Sequence, residues 1–136
     1  MQPLGFYFNK NDPKFKTTTI NVSSDPFISH SFVKAPIYDL STNKQIGYKV
    51  SDDYVQQVSN KKYIVRLNNT YYLEGKGSIS WLYVFENNKP EVYYPVNVPA
   101  VSTIISGTGV YYGKKGTVSL LPKPNGLRTV NITFNA

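Results

Sequence analysis

Short stretches of alternating apolar and polar residues, separated by turn-forming residues, run through most of the chain. We predict β-strands at residues 31–35, 45–50, 54–58, 62–68, 70–73, 77–85, 101–105, 117–121 and 128–134. The segments between them are rich in Asn, Pro, Lys and Gly, which favour turns or interrupt strand pairing. No helical period extends beyond a turn or two, so the pattern predicts an all-β protein.

The run at residues 77–85 shows the clearest division into two faces. Side chains alternate along a strand, so Ile79, Trp81, Tyr83 and Phe85 share one face. We predict that this aromatic face points inward. The last run repeats the alternation, and we predict that it closes the sheet. Several short strands at this spacing are typical of a sandwich or a barrel.

The first thirty residues have a different pattern from the rest of the chain. Pro3, Pro13 and Pro26 interrupt polar stretches there, and one strand at residues 15–22 is all that the pattern supports. We therefore predict an irregular N-terminal arm at residues 1–30 and a single barrel domain at residues 31–136. A chain of 136 residues has the length of one domain.

The positive charge of the chain narrows its choice of partners. The formal net charge is +7, but the lysines are scattered and only Arg66 and Arg128 carry guanidinium groups. Nucleic-acid sites usually concentrate positive charge on one face, so we interpret this charge as a solvated surface rather than a nucleic-acid site. The alternative, a barrel that binds oligonucleotides, requires exposed aromatic rings beside lysines.

The sequence lacks the residue types that several kinds of functional site require. The chain has no cysteine, which excludes disulfides, thiolate metal sites and cysteine nucleophiles. His30 is the only histidine, so we predict no metal site, no catalytic triad and no cofactor. We find no signal-peptide pattern and no apolar run long enough to span a membrane. We expect a soluble protein in the cytoplasm or within a particle.

Residues 105–118 contain the most informative motif in the chain. Two apolar strands flank glycines at positions 107, 109, 113 and 116. Glycine weakens a strand unless the backbone needs a positive φ or a close approach, so the spacing predicts a tight barrel corner with Tyr111 packed back on the sheet. A phosphate-binding loop is the alternative, but the Gly-Lys-Ser/Thr ending and the following helix of such loops are missing.

The glycine segment resembles the Gly-Gly-Thr-Gly, aromatic, small residue, Gly-x-x-Gly pattern of the allene oxide cyclase and dirigent barrel families. Residues 75–85 are similar to the Gly-Ser/Thr-Ile strand of these families, and residues 35–40 with Ile46 and Gly47 resemble their early strand pair with its acidic loop. The resemblance implies a closed, antiparallel, eight-stranded, calycin-like β-barrel. It also implies a homo-oligomer, with a trimer favoured, and a hydrophobic small molecule bound in the barrel interior.

Five aromatic residues are candidates for binding such a ligand. They are Tyr72, Trp81, Tyr83, Phe85 and Tyr111. Their rings suit a flat apolar molecule, and the tyrosine hydroxyls would orient it. The alternative is that these rings fill the core of the barrel.

Two carboxylates are candidates for a catalytic role. The resemblance places Asp39 near the barrel mouth, although Tyr38-Asp39-Leu40 departs from the Asp-x-Pro arrangement of dirigent proteins. Glu74 would act as a general base if burial raised its pKa, but its position also fits an outward, solvated carboxylate. We interpret the adjacent Asp52 and Asp53 as a turn or a strand start, because neighbours on a strand point to opposite faces.

The sequence contains no catalytic constellation, and this favours a non-catalytic function. We hypothesise a barrel module that acts in oligomeric assembly, including as a structural component of a larger particle such as a virion, or that binds an apolar small molecule. The alternative is a cofactor-independent enzyme, resembling the cyclase, isomerase or dirigent barrels, that steers cyclisation or coupling of an apolar substrate in the lumen. A cavity of roughly 300 Å³ or more would favour a carrier or an enzyme.

Overall fold

The computed structural model describes residues 1–92 and 94–136, and its regular structure is almost entirely β. The strands are β1 (Leu4–Asn9), β2 (Lys16–Ser24), β3 (Phe27–Asp39), β4 (Gln45–Ser59), β5 (Lys62–Leu73), β6 (Gly77–Asn87), β7 (Ala100–Gly107), β8 (Gly116–Pro122) and β9 (Leu127–Phe134). Short 3₁₀ turns, Gly109–Tyr111 and Pro124–Gly126, connect β7 to β8 and β8 to β9. The all-β prediction is confirmed.

The nine strands form one antiparallel sheet that closes on itself. Their order is β1-β9-β8-β7-β6-β5-β4-β3-β2, and β1 also pairs with the end of β3, where Phe6 lies opposite Asp39. Strands β1 and β3 to β9 therefore make a closed eight-stranded barrel, and β2 is an additional strand. The predicted closed barrel is confirmed.

The N-terminal thirty residues are more regular than the irregular arm that we predicted. Strand β1 pairs with β9 along its whole length, and β2 pairs with β3. Pro3 precedes β1, Pro13 lies between β1 and β2, and Pro26 lies in the turn before β3. Proline disrupts a sheet least at such positions, where no ladder hydrogen bond is lost. These prolines therefore mark the ends of strands.

Two pairs of predicted runs merge into single long strands. Residues 45–50 and 54–58 both belong to β4, and β5 merges its two predicted runs in the same way. Asp52 and Asp53 lie in the middle of β4, opposite Asn68 and Leu67 of β5, and not in a turn or at a strand start as the sequence predicts. Backbone pairing on both sides of β4 outweighs the low strand propensity of aspartate.

The larger of two buried apolar clusters fills one end of the barrel, and the smaller one, which contains Val55, Val65 and Leu67, lies towards the other end. We call the first of these ends, which carries the β3–β4 and β5–β6 turns and the β7–β8 corner, the upper half. Its inward side chains form a packed cluster that includes Phe6, Ile37, Tyr71, Trp81 and Val118. The opposite end, with the β4–β5 and β8–β9 turns and the β6–β7 loop, is the lower half. The upper half supplies most of the buried apolar surface that stabilises the fold.

Glycines allow the β7–β8 corner to lie directly against the β5–β6 turn. Gly109 has a φ of +63°, and a Cβ on it would lie 2.1 Å from the Lys76 carbonyl oxygen. Gly77 has a φ of +136°, and its Cβ would lie 2.1 Å from the Thr108 carbonyl oxygen. Tyr111 is buried under this corner. The glycine spacing seen in the sequence therefore reflects the close approach of two backbones.

Candidate functional site

The lower half of the barrel contains a cavity of about 350 Å³. The inward faces of β2 to β5, parts of β1 and β9, and the β6–β7 loop form its wall. Much of the wall is apolar, with Phe8, Phe15, Phe27, Val55 and Leu67 among its residues. The cavity exceeds the size that the sequence argument set for a carrier or an enzyme.

Small inward side chains and an open edge leave this half unfilled. Thr17 and Thr19 of β2 and Ser29 and Ser31 of β3 line the cavity, whereas rings and branched side chains fill the upper half. Within the part of the chain that the structure describes, β2 pairs with β3 alone. The barrel wall is therefore not closed beyond β2, and the cavity is partly open to solvent.

Strand β4 carries three polar side chains in succession on its inward face. Lys49, Ser51 and Asp53 are each only 6% exposed. The register places Lys49 opposite Tyr71 and Ser51 opposite Asn69, so this polar layer continues onto β5. Lys49 and Asp53 line the cavity. Burying polar groups is unfavourable unless they are paired, and a cluster of them at a cavity wall indicates a site.

Lys49 is buried without a carboxylate partner. Its Nζ lies 4.8 Å from the centre of the Phe8 ring. Among residues 1–92 and 94–136, Lys49 forms no ion pair and its Nζ makes no hydrogen bond. Burial lowers the pKa of the Lys49 ammonium to about 8, with Asp53 opposing the shift and Arg128 adding to it. A part of the Lys49 population is therefore a neutral amine near neutral pH.

Asp53 shows the opposite shift. Burial raises the pKa of its carboxyl group, and attraction to the Lys49 ammonium offsets this only in part. Asp53 Oδ1, Ser51 Oγ and Asn69 Oδ1 are buried with no hydrogen-bond partner among the described residues. Such atoms are rare in folded proteins. At a cavity wall, they are available to a ligand or to water.

Arg128 brings a second cationic group to the cavity. It lies on β9 opposite Phe8 of β1, and its side chain lines the cavity. Its Nη1 donates a hydrogen bond of 3.1 Å to the carbonyl oxygen of Leu127. This bond orients the guanidinium group, which supplies a fixed positive charge beside the cavity.

Tyr94 of the β6–β7 loop covers the lower end of the cavity. Its ring stacks on Tyr83 with centroids 6.4 Å apart and packs against Phe85 at 6.0 Å. Burial raises the pKa of the Tyr94 hydroxyl well above its ordinary value. The hydroxyl therefore stays protonated at neutral pH and can donate a hydrogen bond.

The five predicted ligand-binding aromatic residues fall in three different places. Trp81 and Tyr111 are buried in the upper core. Tyr83 and Phe85 support the loop that covers the cavity, and they lie behind the described lining rather than in it. Tyr72 is 50% exposed on the outer face of β5. The structure therefore does not bring these five rings together in one pocket.

The two predicted catalytic carboxylates also lie away from the cavity. Asp39 is the last residue of β3, where its Oδ2 accepts hydrogen bonds from the Ser41 hydroxyl at 2.6 Å and the Thr42 N–H at 2.9 Å of the following turn. These bonds, led by that of the Ser41 hydroxyl, lower the pKa of Asp39. Glu74 is exposed in the β5–β6 turn. The geometry gives Asp39 a role in the turn and places neither carboxylate on the cavity wall.

Sequence reasoning missed Lys49 and Asp53 as site residues. The signal was an alternation that continues without a break through β4, with polar residues at the odd positions from Lys49 to Asp53. Dividing this stretch at a supposed turn hid that alternation. Read as one strand, β4 would have placed all three polar side chains on the same face.

The described residues show neither a metal-ligand cluster nor a membrane helix. In residues 1–92 and 94–136, no three His, Asp or Glu side chains are grouped so that they could hold a metal ion. No helix in those ranges is sufficiently long and apolar to cross a bilayer. Among the described residues, the titratable groups that line the cavity are Lys10, Lys49, Asp53, Glu91, Tyr94 and Arg128.

Solved structures with a similar fold include a pyocyanin demethylase and two pterocarpan synthase dirigent proteins. The demethylase has a TM-score of 0.67 and 14% sequence identity, with 98% of this chain and 100% of that chain covered. The dirigent proteins have TM-scores of 0.60 and 0.58 and identities of 17% and 15%, with 98% of this chain and 84% and 92% of those chains covered. No protein-family model and no curated protein sequence matches the chain. The chain thus has the barrel fold of these proteins, which confirms the dirigent-like fold that the resemblance implied.

Proposed function

We propose that this protein binds a flat, largely apolar small molecule in the cavity of its lower half. The observation that carries the proposal is a cavity of about 350 Å³ on whose apolar wall Lys49, Asp53 and Arg128 converge. Apolar pockets of this size with a few polar groups are typical of small-molecule sites. Neighbours of the same fold are named for pyocyanin demethylation and pterocarpan synthesis, which supports a small-molecule role.

The charges on the wall favour a ligand that carries an oxygen acceptor. Lys10, Lys49 and Arg128 line the cavity together with Asp53 and Glu91. Burial favours the neutral form of Asp53, so positive charge exceeds negative charge around the ligand. A carbonyl, phenolate or carboxylate group on an otherwise apolar ligand would therefore be stabilised.

Filling the cavity tests this function. Val55 lines the cavity, whereas Val50 lies on the outer face of the same strand and is 41% exposed. The fluorescent probe 1-anilinonaphthalene-8-sulfonate combines flat rings with an anionic group. We expect wild-type protein to bind one probe molecule and Val55→Phe to weaken binding about tenfold or more, since the added ring occupies the site.

The matched control is Val50→Phe, which introduces the same ring on the opposite face of β4. We expect it to keep the wild-type affinity within about twofold, a difference well under 1 kcal/mol. Wild-type protein that binds no probe, or Val55→Phe protein that binds it with unchanged affinity, would contradict the proposal.

The outer face of the barrel favours a second candidate function, assembly into a homo-oligomer. Ile20, Phe32, Val50 and Tyr54 lie on the outer face of β2, β3 and β4, and each is more than a third exposed. Exposed apolar patches often mark protein interfaces. We expect light scattering to report an oligomer, a trimer in the simplest case, and Phe32→Asp to yield a monomer. The same face would serve incorporation into a larger particle such as a virion. A monomeric wild-type protein would rule this candidate out.

A further inference from the structure

Two lysines make the same aromatic contact on opposite faces of the barrel wall. Lys34 Nζ lies 4.8 Å from the centre of the Tyr48 ring on the outer face. Lys49 Nζ lies 4.8 Å from the centre of the Phe8 ring on the inner face. Lys34 is exposed, whereas Lys49 is 6% exposed and lines the cavity. Burial is therefore the main difference between the two amines.

The surroundings of Lys49 are those that activate an amine as a nucleophile. Such lysines lie in an apolar pocket or beside another cation, because both conditions favour the neutral amine. Lys49 meets both, because its burial in the cavity wall and the nearby Arg128 each lower its pKa, and these effects outweigh the attraction of the ammonium to the Phe8 ring and to Asp53. Among the described residues, the Lys49 ammonium forms no hydrogen bond and no ion pair that would hold it in the charged form. In the neutral part of the population, the lone pair of Lys49 Nζ is free to react with a ligand in the cavity.

We propose that Lys49 captures a carbonyl compound, an aromatic or α,β-unsaturated aldehyde or ketone, as a covalent imine in the lumen cavity. The inference rests on the proposed function, because the carbonyl compound must first bind there. It is carried by the cavity, the burial of Lys49 without a partner, and the presence of a carboxyl group on the same wall.

The reaction is a condensation that needs neither an oxidant nor a reductant. The lone pair of Lys49 Nζ attacks the carbonyl carbon, and the nitrogen loses a proton while the oxygen gains one, which gives a carbinolamine. The hydroxyl then accepts a proton and leaves as water while the nitrogen lone pair forms the C=N bond, which gives a protonated imine; loss of the remaining N–H proton gives the imine and returns the donated proton. The Asp53 carboxyl group is placed to donate this proton, because it lies on the same inward face of β4, burial raises its pKa, and its Oδ1 has no partner among the described residues.

Other charged or titratable groups face Lys49 from the surrounding elements. Together with Lys49, these groups determine how the rate of imine formation depends on pH. They are Asp53 on β4, Tyr71 on β5, Arg128 on β9, Lys10 after β1, and Glu91 and Tyr94 in the β6–β7 loop. Burial raises the pKa of both tyrosine hydroxyls, so they stay neutral in the pH range of interest. Asp53 is the group of this set that shares the inward face of β4 with Lys49.

Reductive trapping with a defined aldehyde tests the inference. Wild-type protein is incubated with cinnamaldehyde and sodium cyanoborohydride, and the adduct is located by intact mass and peptide mapping. We expect one adduct per chain, at Lys49, formed about tenfold or more faster than at Lys34. The rate at Lys49 should level off above about pH 8, whereas an ordinary lysine becomes faster up to about pH 10. Asp53→Asn should slow trapping several-fold.

Lys49→Met and Lys34→Met are the matched variants. Lys49→Met keeps an unbranched side chain but removes the amine, so the fast adduct should disappear. Lys34→Met should keep the fast adduct at wild-type rate. Cinnamyl alcohol has the same skeleton and cannot form an imine, so its non-covalent binding by calorimetry shows whether the cavity of each variant is intact.

The outcomes separate the two proposals. Binding of cinnamyl alcohol without trapping at Lys49 would overturn the imine and leave the proposed function standing. Failure of both the alcohol and the aldehyde to bind would overturn both. Equal labelling of Lys49 and Lys34, or a fast adduct that survives in Lys49→Met protein, would also overturn the imine.

Discussion

The two halves of this barrel are built from the same strands but have opposite interiors. In the upper half, Trp81, Tyr71 and Phe6 fill the space between strands. In the lower half, Ser29 and Thr19 occupy inward positions and leave a cavity. Strand pairing closes the sheet at one end, where β1 meets β3, while β2 leaves it open at the other.

The comparison shows that closing the sheet and filling it are separate properties. Backbone hydrogen bonds determine the barrel and its diameter, and the volume of the inward side chains determines whether the interior becomes core or cavity. The upper half can therefore provide stability while the lower half accepts unfavourable features, including the buried Lys49 and Asp53. Mutations should affect stability in the upper half and binding in the lower half.

Truncation of the largest core side chain should have the greatest effect on stability. Trp81 is 1% exposed in the upper half. We expect Trp81→Ala to reduce the free energy of unfolding by about 3–5 kcal/mol, because transfer and cavity terms add for a buried aromatic ring. Urea denaturation followed by circular dichroism measures this loss.

The control for Trp81→Ala is Tyr112→Ala, since Tyr112 is 81% exposed beside the glycine corner. We expect Tyr112→Ala to change the free energy of unfolding by no more than about 0.5 kcal/mol. If Trp81→Ala cost as little as the control, the upper half would not be the packed half, and the comparison between the two ends would be wrong.

The buried lysine of the lower half should make stability depend on pH. The pKa of Lys49 is about 8 in the folded protein, and an unfolded lysine titrates near 10.4. Between these values the unfolded chain binds more protons, so the free energy of unfolding rises as the pH increases. At about 1.4 kcal/mol per pKa unit, the rise is on the order of 2–3 kcal/mol between about pH 8 and pH 10. Urea denaturation at several pH values measures it.

Lys49→Met removes this titration and is the reference for the pH series. We expect the variant to be more stable than wild type below about pH 8 and to show no such rise. Burial raises the pKa of Tyr71 and Tyr94, so the unfolded chain loses their protons first and stability falls above about pH 10. If the free energy of unfolding changed with pH in the same way for wild type and Lys49→Met, the Lys49 amine would be solvated and the prediction would be wrong.

The sequence predicts the fold well wherever burial follows the usual alternation. Strand β6 has its large side chains Ile79 and Trp81 inside and Ser78 and Ser80 on the other face, and β9 follows the same pattern. In these two strands the apolar face is the buried face, so the sequence predicts both the presence of the strand and the side that faces the core. The glycine corner was recognisable because close backbone approach leaves few residue types permitted.

The site was not predictable in the same way because β4 reverses the usual rule. Its outward residues Tyr48 and Val50 are more apolar than its inward residues Lys49 and Ser51. Pattern-based reasoning assigns the apolar face to the interior. Such reasoning fails where a strand lines a cavity, and the reversal itself is the sequence signal for a polar lumen.

A matched pair of insertions should give the smallest effect and the finest test of the comparison. Val118 in the upper half is fully buried and Val55 in the lower half is 2% exposed, so exposure does not distinguish them. Adjoining space does, because both residues belong to buried clusters but only Val55 also lines the cavity. We expect Val118→Phe to destabilise the protein by about 1–3 kcal/mol through overpacking. Val55→Phe should cost less than about 0.5 kcal/mol, since its ring enters empty volume. Thermal unfolding of both variants measures the difference, and equal losses would mean that the lower half is packed as tightly as the upper half in solution.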